Sequence, residues 1–474
     1  MIMKVPAWQF PGIFLGWEKP KEKGVLGFQC PPPAPPPKKK RDRSDQQETP
    51  ITYHGDGHLM TFAPTGGGKG RGQIIPTLLS YPGSVIVIDP KCENYRVTAR
   101  HRREMGQRVI VLDPFQKVTT PDSPSDQLNP FDVFRLPGMI ADADATMLAW
   151  QLAAGNSFAK DPFWDNSGTS FLAGLISHVA TGVPDADRNL CKVLGYLYAD
   201  DVIYNLAVLL DSKTVVSKHA YRELAAFLQL PERDTRPSVL ATAASWVKSL
   251  NSDCVEATLT ESTFSLLDLM NGEPMTIYLC VPPDKLHSHK SLLRLWIATL
   301  LTSVVRRERR PEQSTLFILD ECAQLGNMLL LETAITLLRG YGLQVWSFWQ
   351  DPEQIQSLYP TSHSTLINNS AVLQTFGITS HQMAEQVSKF VDIAPEKLLQ
   401  MNPADAAVFI KGQRPQVNRR ADYLHDQAFE DIWDPNPFFP PTSRKDASPR
   451  TPRFRKRKNT DSSNNEDHPR SPDR

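Results

Sequence analysis

Short runs of apolar residues, each closed by a turn signal, occur in two separate parts of the chain. The first part holds HLMTFAP (58–64), SVIVIDP (84–90) and RVIVLDP (108–114). The second part holds four further runs, at 275–282, 314–321, 342–350 and 406–412. Continuous rather than alternating apolarity is typical of strands covered on both faces. The pattern predicts an α/β fold with a doubly wound, mostly parallel sheet whose strands fall into two groups.

Between the two groups the apolar residues recur at helical spacing. Residues 137–270 place them three and four positions apart, with Leu and Ala in excess over Val and Ile. This spacing predicts an all-α domain inserted into one nucleotide-binding domain. Residues 55–136 would form the first part of that domain and residues 271–434 the second.

Both ends of the chain lack a regular apolar period. Residues 1–54 are interpreted as a weakly structured lead, in which QCPPPAPPPKKKRDR (29–43) suits an extended spacer. The alternative for this lead is a docking site for an anionic lipid surface or a partner. Residues 435–474 are interpreted as a disordered basic tail. Its RFRKRK cluster (453–458) is either a solvated segment or a phosphate-binding one.

Composition narrows the class of protein. The 474 residues include 52 Lys and Arg against 52 Asp and Glu, so the net charge of zero predicts no overall attraction to nucleic acid. Six cysteines without a CxxC pair argue against a zinc ribbon and a disulfide framework, and favour a reducing compartment. No run reaches the ~18 apolar residues that a membrane-spanning helix needs. A cytoplasmic protein is expected.

The main chemical signal is APTGGGKG (63–70), which follows a predicted strand. A phosphate-binding loop needs glycines that let consecutive backbone N–H groups face an anion, and a lysine that reaches the outer phosphates. The loop supplies both through four residues: Gly66, Gly67, Gly68 and Lys69. A flexible glycine turn is the alternative.

Two positions depart from the usual loop. Ala63 stands for the first glycine, and Gly70 stands where a hydroxyl residue would help to hold magnesium. Water or Thr65 would then have to complete the magnesium shell. The next helix is weakened by Gly72 and Pro76.

A second signal is LFILDE (316–321), an apolar run that ends in two carboxylates. Taken alone, an apolar strand that ends in Asp-Glu is common as a plain strand exit. Together with the loop it predicts a phosphoryl-transfer site, in which Asp320 holds Mg²⁺ or its water and Glu321 orients the attacking water.

Two polar residues farther along extend this site. Gln350 ends the next predicted strand, and ligands in such sheets bind at the carboxyl ends of strands, so Gln350 is expected to sense the γ-phosphate. Arg339 precedes a turn and is a candidate for neutralising transition-state charge in a neighbouring subunit. The alternative is that Arg339 compensates the carboxyl end of its own helix.

Residues beside the two motifs have weaker assignments. Asp89, Lys91 and Glu93 either line the same crevice or form a solvated turn. Cys92 and Cys322 are interpreted as packing residues, because no histidine lies nearby in sequence to activate them.

The wording and order of several blocks resemble the type IV secretion coupling proteins of the TraG-type conjugative DNA-transfer family. These blocks are APTGGGKGRGQIIPTLLSYPGSVIVIDPKCENY (63–95), VIVLDPF with LNPFD, IYLCVPPDKL with HKSLLRLWIATLL, and LDECAQLGNMLLLETAITLLRGYGLQVWSFWQDPEQIQSLYP (319–360). The resemblance covers residues 54 to 425. That family commonly has Lys-Gly at the end of its loop, as here, and a glycine where this chain has Cys92. Family members usually begin with membrane-spanning helices, which the sequence does not show.

The resemblance implies a RecA-like P-loop ATPase with an inserted all-α domain, assembled as a hexamer, that uses ATP and Mg²⁺. It implies roles for Lys69 as the phosphate lysine, Asp320 and Glu321 as the magnesium and water residues, and Gln350 and Arg339 as sensor and in-trans arginine. The loop residues Thr65 to Gly70 would hold the nucleotide.

The resemblance also implies the partners, which are the secretion channel subunits and a cargo. The cargo would be single-stranded DNA with its attached nicking enzyme, or a secreted protein. A membrane partner would recruit the chain to the inner membrane. Two other functions remain open: a cytosolic DNA translocase or helicase, and a nucleotide-binding adaptor with little hydrolysis.

Overall fold

The computed structural model describes residue 10 and residues 12–19, 48–153 and 161–439. The polyproline stretch at 29–43 and the tail from residue 440 onward lie outside these residues. The strands are β1 (Ile13–Trp17), β2 (Pro50–Tyr53), β3 (His58–Phe62), β4 (Val85–Ile88), β5 (Arg108–Leu112), β6 (Met275–Leu279), β7 (Thr315–Leu319), β8 (Leu343–Trp349), β9 (Ser370–Thr375), β10 (Asp405–Ile410) and β11 (Gln416–Arg419).

Helices pack against the sheet, and several of them lie in sequence between its two groups of strands. They are α1 (Ile75–Ser80), α2 (Glu93–Glu104), α3 (Ala141–Ala153), α4 (Pro162–Gly182), α5 (Leu190–Leu197), α6 (Val202–Asp211), α7 (Lys218–Leu228), α8 (Thr235–Val247), α9 (Asp253–Glu256), α10 (Leu266–Asn271), α11 (Pro283–Leu286), α12 (Lys290–Val305), α13 (Leu329–Leu337), α14 (Pro352–Leu358), α15 (His363–Asn369), α16 (His381–Val391) and α17 (Pro395–Leu399).

The strands form one sheet in the order β2-β1-β11-β10-β9-β3-β8-β7-β4-β6-β5. Every pairing from β9 to β5 is parallel, whereas β10, β11, β1 and β2 join antiparallel at the other side. The central strands are buried along their whole length, as their continuous apolarity predicts. The predicted α/β fold with a mostly parallel sheet is confirmed.

All seven strands expected from the apolar runs are present, at β3 to β8 and β10. The expectation of a weakly structured lead is wrong for residues 13–17 and 50–53, because β1 and β2 pair with each other and β1 also pairs with β11. Phe14 and Trp17 of β1 are buried against Phe429, and Phe14 belongs to the same apolar cluster as Ile75 of α1. This packing gives the amino-terminal segment a fixed place beside the helix that follows the predicted phosphate loop.

Helices α3 to α10 occupy the chain between β5 and β6. The long helix α4 packs against α3, α7 and α8, with Phe171 stacked on Phe227 at 3.9 Å between ring centroids. Gly168 of α4 allows close approach, since a Cβ there would lie 2.8 Å from the ring of the buried Trp246. These helices share one apolar core with the inner face of the sheet.

The end of the described chain is also packed. Asn436 is buried, and its side-chain amide donates to Glu93 Oε1 at 2.6 Å and to the Tyr423 hydroxyl at 2.8 Å. The prediction that a disordered tail begins at residue 435 is therefore wrong for Asn436, which packs against the fold. Among the described helices no single one is both long and apolar enough to cross a membrane, although the bent pair α5 and α6 passes on length and composition.

Candidate nucleotide-binding site

The predicted phosphate loop leaves the sheet at the carboxyl end of β3. The Ala63 amide still donates to the carbonyl of Trp349 at 2.9 Å, so the loop starts in register with the end of β8. The Gly67 amide then closes a turn on the Pro64 carbonyl at 3.0 Å. Gly66 and Gly68 have φ values of +79° and +84°, which side chains disfavour strongly. The glycine run is required by this backbone path.

The loop passes directly into a helix. Its first turn, Gly70–Ile74, is a π-helix, and α1 continues from Ile75. Pro76 is the second residue of α1, but the helix continues from the π-helical turn, so its missing N–H removes one intrahelical bond. Gly72 lies against the Ala421 carbonyl, 3.4 Å from a Cβ placed there. Gly72 therefore suits its position, whereas Pro76 weakens the helix as its propensity predicts.

The loop lysine meets the two predicted acids across β8. Since β3, β8 and β7 are parallel neighbours, their carboxyl ends meet at one edge of the sheet. Lys69 Nζ lies 2.7 Å from Glu321 Oε1 and 3.4 Å from Asp320 Oδ1. Two motifs about 250 positions apart in sequence are thus joined in one cluster.

Gln350, which follows β8 directly, joins the same cluster. Its side-chain amide donates to Glu321 Oε2 at 3.1 Å, while its backbone N–H donates to the side chain of Gln354. Glu321 is thereby held on both oxygens, by Lys69 and by Gln350. Its backbone has a left-handed φ of +56°, an unfavourable conformation for a residue with a side chain.

The two acids have opposite electrostatic environments. Burial raises the pKa of Asp320, and its interaction with Lys69 only partly offsets that effect. Burial also acts to raise the pKa of Glu321, but the hydrogen bonds from Lys69 and Gln350 outweigh it, so the pKa of Glu321 is lowered. For Lys69, burial is outweighed by the two carboxylates, and its pKa is raised. The lysine is a permanent cation, and Glu321 is the more strongly acidic of the pair.

The loop geometry fits a phosphate group. The first N–H groups of a helix have no intrahelical partner, and Lys69 is the residue at the start of this helix. A Cβ built on Gly66 or Gly70 would meet no atom within 4 Å, so there is free space beside both glycines. Asp320, a carboxylate within 3.4 Å of that ammonium group, is the oxygen ligand available for a magnesium ion.

Arg339 is not part of this cluster. It lies just before β8, at the amino-terminal edge of the sheet, where its Nε donates to Asp56 Oδ1 at 2.6 Å. Arg310 Nη1 donates to the other oxygen of Asp56 at 3.1 Å. The Arg339 side chain is 58% exposed. Within one chain it therefore faces away from Lys69, and only a neighbouring chain could use it in the predicted way.

The segment after β4 mainly supports the fold. The carboxyl group of Asp89 is buried and accepts from the Tyr95 amide at 2.8 Å at the start of α2, and burial raises its pKa to about 7. Glu93 holds Asn436, whereas Lys91 is exposed and lowers the pKa of Glu321 through its charge. Cys92 has a φ of +53°, so the turn does need the left-handed backbone that glycine adopts most easily.

Cys322, the cysteine beside the two acids, is also a buried packing residue. Cys322 is 1% exposed, and burial raises its pKa well above the usual value. A thiol in that environment is a poor nucleophile.

Sequence reasoning missed one residue that contacts the loop. Arg420, which follows β11, donates to the Gly67 carbonyl at 2.5 Å. It lies more than 350 positions from the loop, and a single arginine after a short polar strand gives no signal by spacing or composition. Only the antiparallel addition of β10 and β11 to the sheet brings it there.

Sequence similarity assigns the chain to a family. A family model for type IV secretory system conjugative DNA transfer matches residues 36–391. The chain belongs to this family.

Its curated relatives are distant in sequence. The chain is 25% identical over 414 residues to the protein VirD4 of Rhizobium radiobacter, an alignment that covers 80% of this chain and 58% of VirD4. It is 26% identical over 342 residues to the conjugal transfer protein TraG of Agrobacterium fabrum, with 71% of this chain and 51% of TraG covered. The chain therefore spans only a little over half the length of these relatives.

Solved structures share the fold. The bacterial conjugative coupling protein TrwBdeltaN70 superposes with a TM-score of 0.60 at 15% identity, covering 78% of this chain and 87% of that one. The plasmid coupling protein TrwB in complex with ADP and Mg²⁺ gives a TM-score of 0.58 at 16% identity, covering 78% and 88%. VirB4 of Thermoanaerobacter pseudethanolicus gives 0.52 at 15% identity, covering 87% and 97%. These similarities confirm the predicted RecA-like P-loop fold.

Proposed function

We propose that this chain is the ATP-hydrolysing engine of a type IV secretion coupling protein and drives DNA, or DNA with bound protein, toward a secretion channel. The proposal rests above all on the contact of Lys69 Nζ with Glu321 at 2.7 Å and with Asp320 at 3.4 Å. That contact joins the lysine of the predicted phosphate loop to paired acids, and it supports the proposal in a chain of the conjugative DNA-transfer family.

Each side chain of the cluster has a chemical role in this proposal. ATP with Mg²⁺ supplies the phosphoryl group that is transferred to water. Lys69 and the loop amides from Thr65 to Gly70 bind the phosphates. Asp320 holds the magnesium ion or its water ligand, and Glu321 orients the attacking water and accepts its proton. Gln350, bonded to Glu321, is placed to report on the outermost phosphate.

The missing hydroxyl at position 70 affects the magnesium shell. Gly70 has no side-chain oxygen, so an additional water must take the place that Ser or Thr fills in other loops. Thr65 is exposed at the start of the loop and is the nearest hydroxyl in sequence. A water ligand in that position is compatible with the usual coordination of Mg²⁺ in proteins, which retains several water molecules.

The partners follow from the family and are part of the proposal. TraG is named a conjugal transfer protein, and VirD4 of Bartonella quintana is named a type IV secretion system-coupling protein. A motor of this kind would act as a homo-hexamer whose sites lie between subunits. The cargo would be single-stranded DNA carrying a nicking enzyme, or a secreted protein. The chain would work at the cytoplasmic face of the inner membrane through a membrane partner, next to the channel subunits.

The decisive experiment measures ATP hydrolysis by the purified chain with and without single-stranded DNA. We expect DNA to stimulate hydrolysis in the wild type. Lys69→Ala should weaken ATP binding about tenfold or more, because it removes charge-assisted bonds to phosphate. Glu321→Gln should bind ATP normally and lose about 10²-fold or more of the turnover. Lys248→Ala, at an exposed lysine that directly follows α8, is the matched control.

A nucleotide-binding adaptor is the second candidate, and Gly70 is the observation that favours it. An adaptor would bind ATP through Lys69 but show the same low turnover in the wild type and in Glu321→Gln. That result, together with no response to DNA, would replace the motor by the adaptor. Strand separation without any secretion component would instead indicate a helicase.

A further inference from the structure

Arg420 lies against the back of the phosphate loop, in a part of the chain beyond the residues matched by the family model. One guanidinium nitrogen, Nη1, donates to the Gly67 carbonyl at 2.5 Å. The other, Nη2, donates to the Pro403 carbonyl. The guanidinium carbon lies 4.4 Å above the ring centre of the buried Phe376. These three contacts fix the plane of the guanidinium group against the loop.

Arg420 lies close to several residues of the loop and of the helix that follows it. A Cβ placed on Gly68 would lie 3.3 Å from Arg420 Nη1, and one on Gly72 would lie 3.6 Å from the same atom. Within the described part of the chain, Arg420 makes no ion pair with a carboxylate, and its buried Nε has no hydrogen-bond partner. A positive charge without a direct counter-ion therefore lies behind a loop that is built to hold an anion.

The bond to Gly67 also sets the direction of an amide in the loop. In a trans peptide the carbonyl of one residue and the N–H of the next point in opposite directions. Arg420 draws the Gly67 carbonyl to its own side of the loop, so the Gly68 N–H points to the other side. With φ of +84° at Gly68, this peptide has the freedom to turn over when nothing holds it.

The same segment holds the helix after the loop. Arg71 Nε donates to Asp422 Oδ1 at 2.7 Å, and the Asp422 amide donates to Asp426. Asp426 also accepts from the Trp17 indole at 2.7 Å, which ties β1 to the network. Residues 420–426 thus contact both the loop and the first turn of its helix.

We propose that Arg420 is a positioning residue for nucleotide binding, which holds the Gly67–Gly68 peptide with its N–H toward the phosphates and adds positive potential behind the loop. This inference rests on the proposed function of the loop as a nucleotide site. Its consequence is that the carboxyl-terminal strand pair, β10 with β11, controls the affinity of a site to which it contributes no phosphate ligand.

The test compares two adjacent arginines. Arg420→Gln keeps a donor but removes the charge and the forked contact, and we expect fluorescent ATP and ADP analogues to bind about tenfold more weakly. Arg419 is the matched control because its guanidinium bonds to Asp426, Glu48 and the Arg420 carbonyl instead of the loop. Arg419→Gln should bind both analogues like the wild type. Arg420→Lys, which keeps the charge but makes one bond at a time, should fall between.

Steady-state kinetics separate positioning from general damage. Loss of an interaction present in both ground and transition states raises KM and leaves kcat nearly unchanged. We expect that split for Arg420→Gln, with wild-type KM and kcat for the folded Arg419→Gln. Where Arg420→Gln fails to fold, Arg420→Lys takes its place, and wild-type affinity of that variant overturns the proposal.

Three further results would also overturn it. These are unchanged affinity in Arg420→Gln, an equal loss in Arg419→Gln, and a fall in kcat without a rise in KM. The proposed function fails separately, because in that case the wild type itself would not bind either analogue.

Discussion

Lys69 interacts with two adjacent carboxylates whose pKa values move in opposite directions. Burial dominates at Asp320 and raises its pKa, whereas hydrogen bonds from Lys69 and Gln350 dominate at Glu321 and lower its pKa. Neighbouring acids with different environments are typical of sites that divide two tasks between them. The two acids therefore differ in environment, and the proposed mechanism assigns the metal and the water to different acids.

That division of tasks can be measured by magnesium titration of the ATPase. Asp320→Asn should shift half-activation to higher Mg²⁺, because an amide is a weaker magnesium ligand than a carboxylate. Glu321→Gln should lower turnover about 10²-fold at saturation and leave the half-activating concentration unchanged. Equal shifts in the two variants would contradict separate roles for the two acids.

His58 gives a second prediction at this scale, one that concerns stability. Its side chain is 1% exposed, its Nδ1 accepts from the Val345 amide at 3.1 Å, and burial lowers its pKa from 6.5 to about 4. Between pH 6.5 and 4, His58 therefore binds a proton in the unfolded chain but stays neutral in the folded chain. The free energy of unfolding should fall by up to ~1.4 kcal/mol for each pH unit as the solution is acidified through this window.

Urea unfolding at pH 7, 6, 5 and 4 tests this effect. His58→Asn keeps an acceptor for Val345 but cannot titrate, so the pH dependence of its stability should be shallower by that amount. The exposed His381→Gln is the matched control, because it removes a histidine without disturbing a buried position. A variant at His58 with the wild-type slope would show that other groups carry the acid sensitivity.

Most of the site could be predicted at the residue scale because its members follow strands. Asp320 and Gln350 lie at the carboxyl ends of apolar runs, and Lys69 lies in the loop that follows another such run. Parallel strands bring these ends together. Arg420 could not be predicted in this way. It follows a short polar strand, and its place beside Gly67 depends on pairings between segments far apart in sequence.

At the scale of elements, continuous apolar runs predicted the buried parallel strands, but other strands were missed for identifiable reasons. β9 contains Gln374, which is buried and accepts a hydrogen bond from the Thr61 hydroxyl, so its apolar run is interrupted. β11 reads QVNR and is short and polar. β1 lies among prolines in sequence, which favoured an unstructured interpretation. Partner-dependent strands of this kind carry little local signal.

The packing of β1 supplies a prediction for this scale. Phe14 is fully buried between Trp17, Phe429 and the helix after the phosphate loop. Phe14→Ala should lower the free energy of unfolding by about 3–5 kcal/mol, as expected for a large side chain removed from a packed core. Denaturant unfolding measures this change. Phe438→Ala is the matched control, since Phe438 is 53% exposed and its loss should cost little.

The Phe14→Ala variant also tests whether β1 affects nucleotide binding. β1 lies between β2 and β11, and β11 leads directly into Arg420. If Phe14→Ala unfolds locally, ATP affinity should fall along with stability. Unchanged stability in this variant would show that residues 13–17 do not belong to the folded unit.

At the scale of the whole molecule, the sheet separates two charged groups that the predicted in-trans role of Arg339 would require together. Lys69, Asp320 and Glu321 lie at the carboxyl edge, whereas Arg339 lies at the amino edge with Asp56 and Arg310. The fold cannot bring Arg339 to the site of its own chain. A catalytic role for this residue therefore requires a second chain, and its pairing with Asp56 is the competing explanation.

Mixed oligomers distinguish these two explanations. A chain with Arg339→Ala should bind ATP normally but hydrolyse it about 10³-fold more slowly, because an arginine that neutralises transition-state charge contributes effects of this size. A mixture of Arg339→Ala and Lys69→Ala chains should recover part of the activity, since a site with an intact loop can then face an intact arginine. The double variant Lys69→Ala/Arg339→Ala, mixed with Arg339→Ala, should recover none.

Asp56→Asn provides the control that separates catalysis from surface pairing. It leaves Arg339 in place but removes the carboxylate that binds it. If Arg339 acts only as the partner of Asp56, then Arg339→Ala and Asp56→Asn should lower the melting temperature alike and leave turnover per folded chain unchanged. If Arg339 acts in a neighbouring site, Asp56→Asn should keep most of the turnover, because the arginine is then released from a competing ion pair rather than lost.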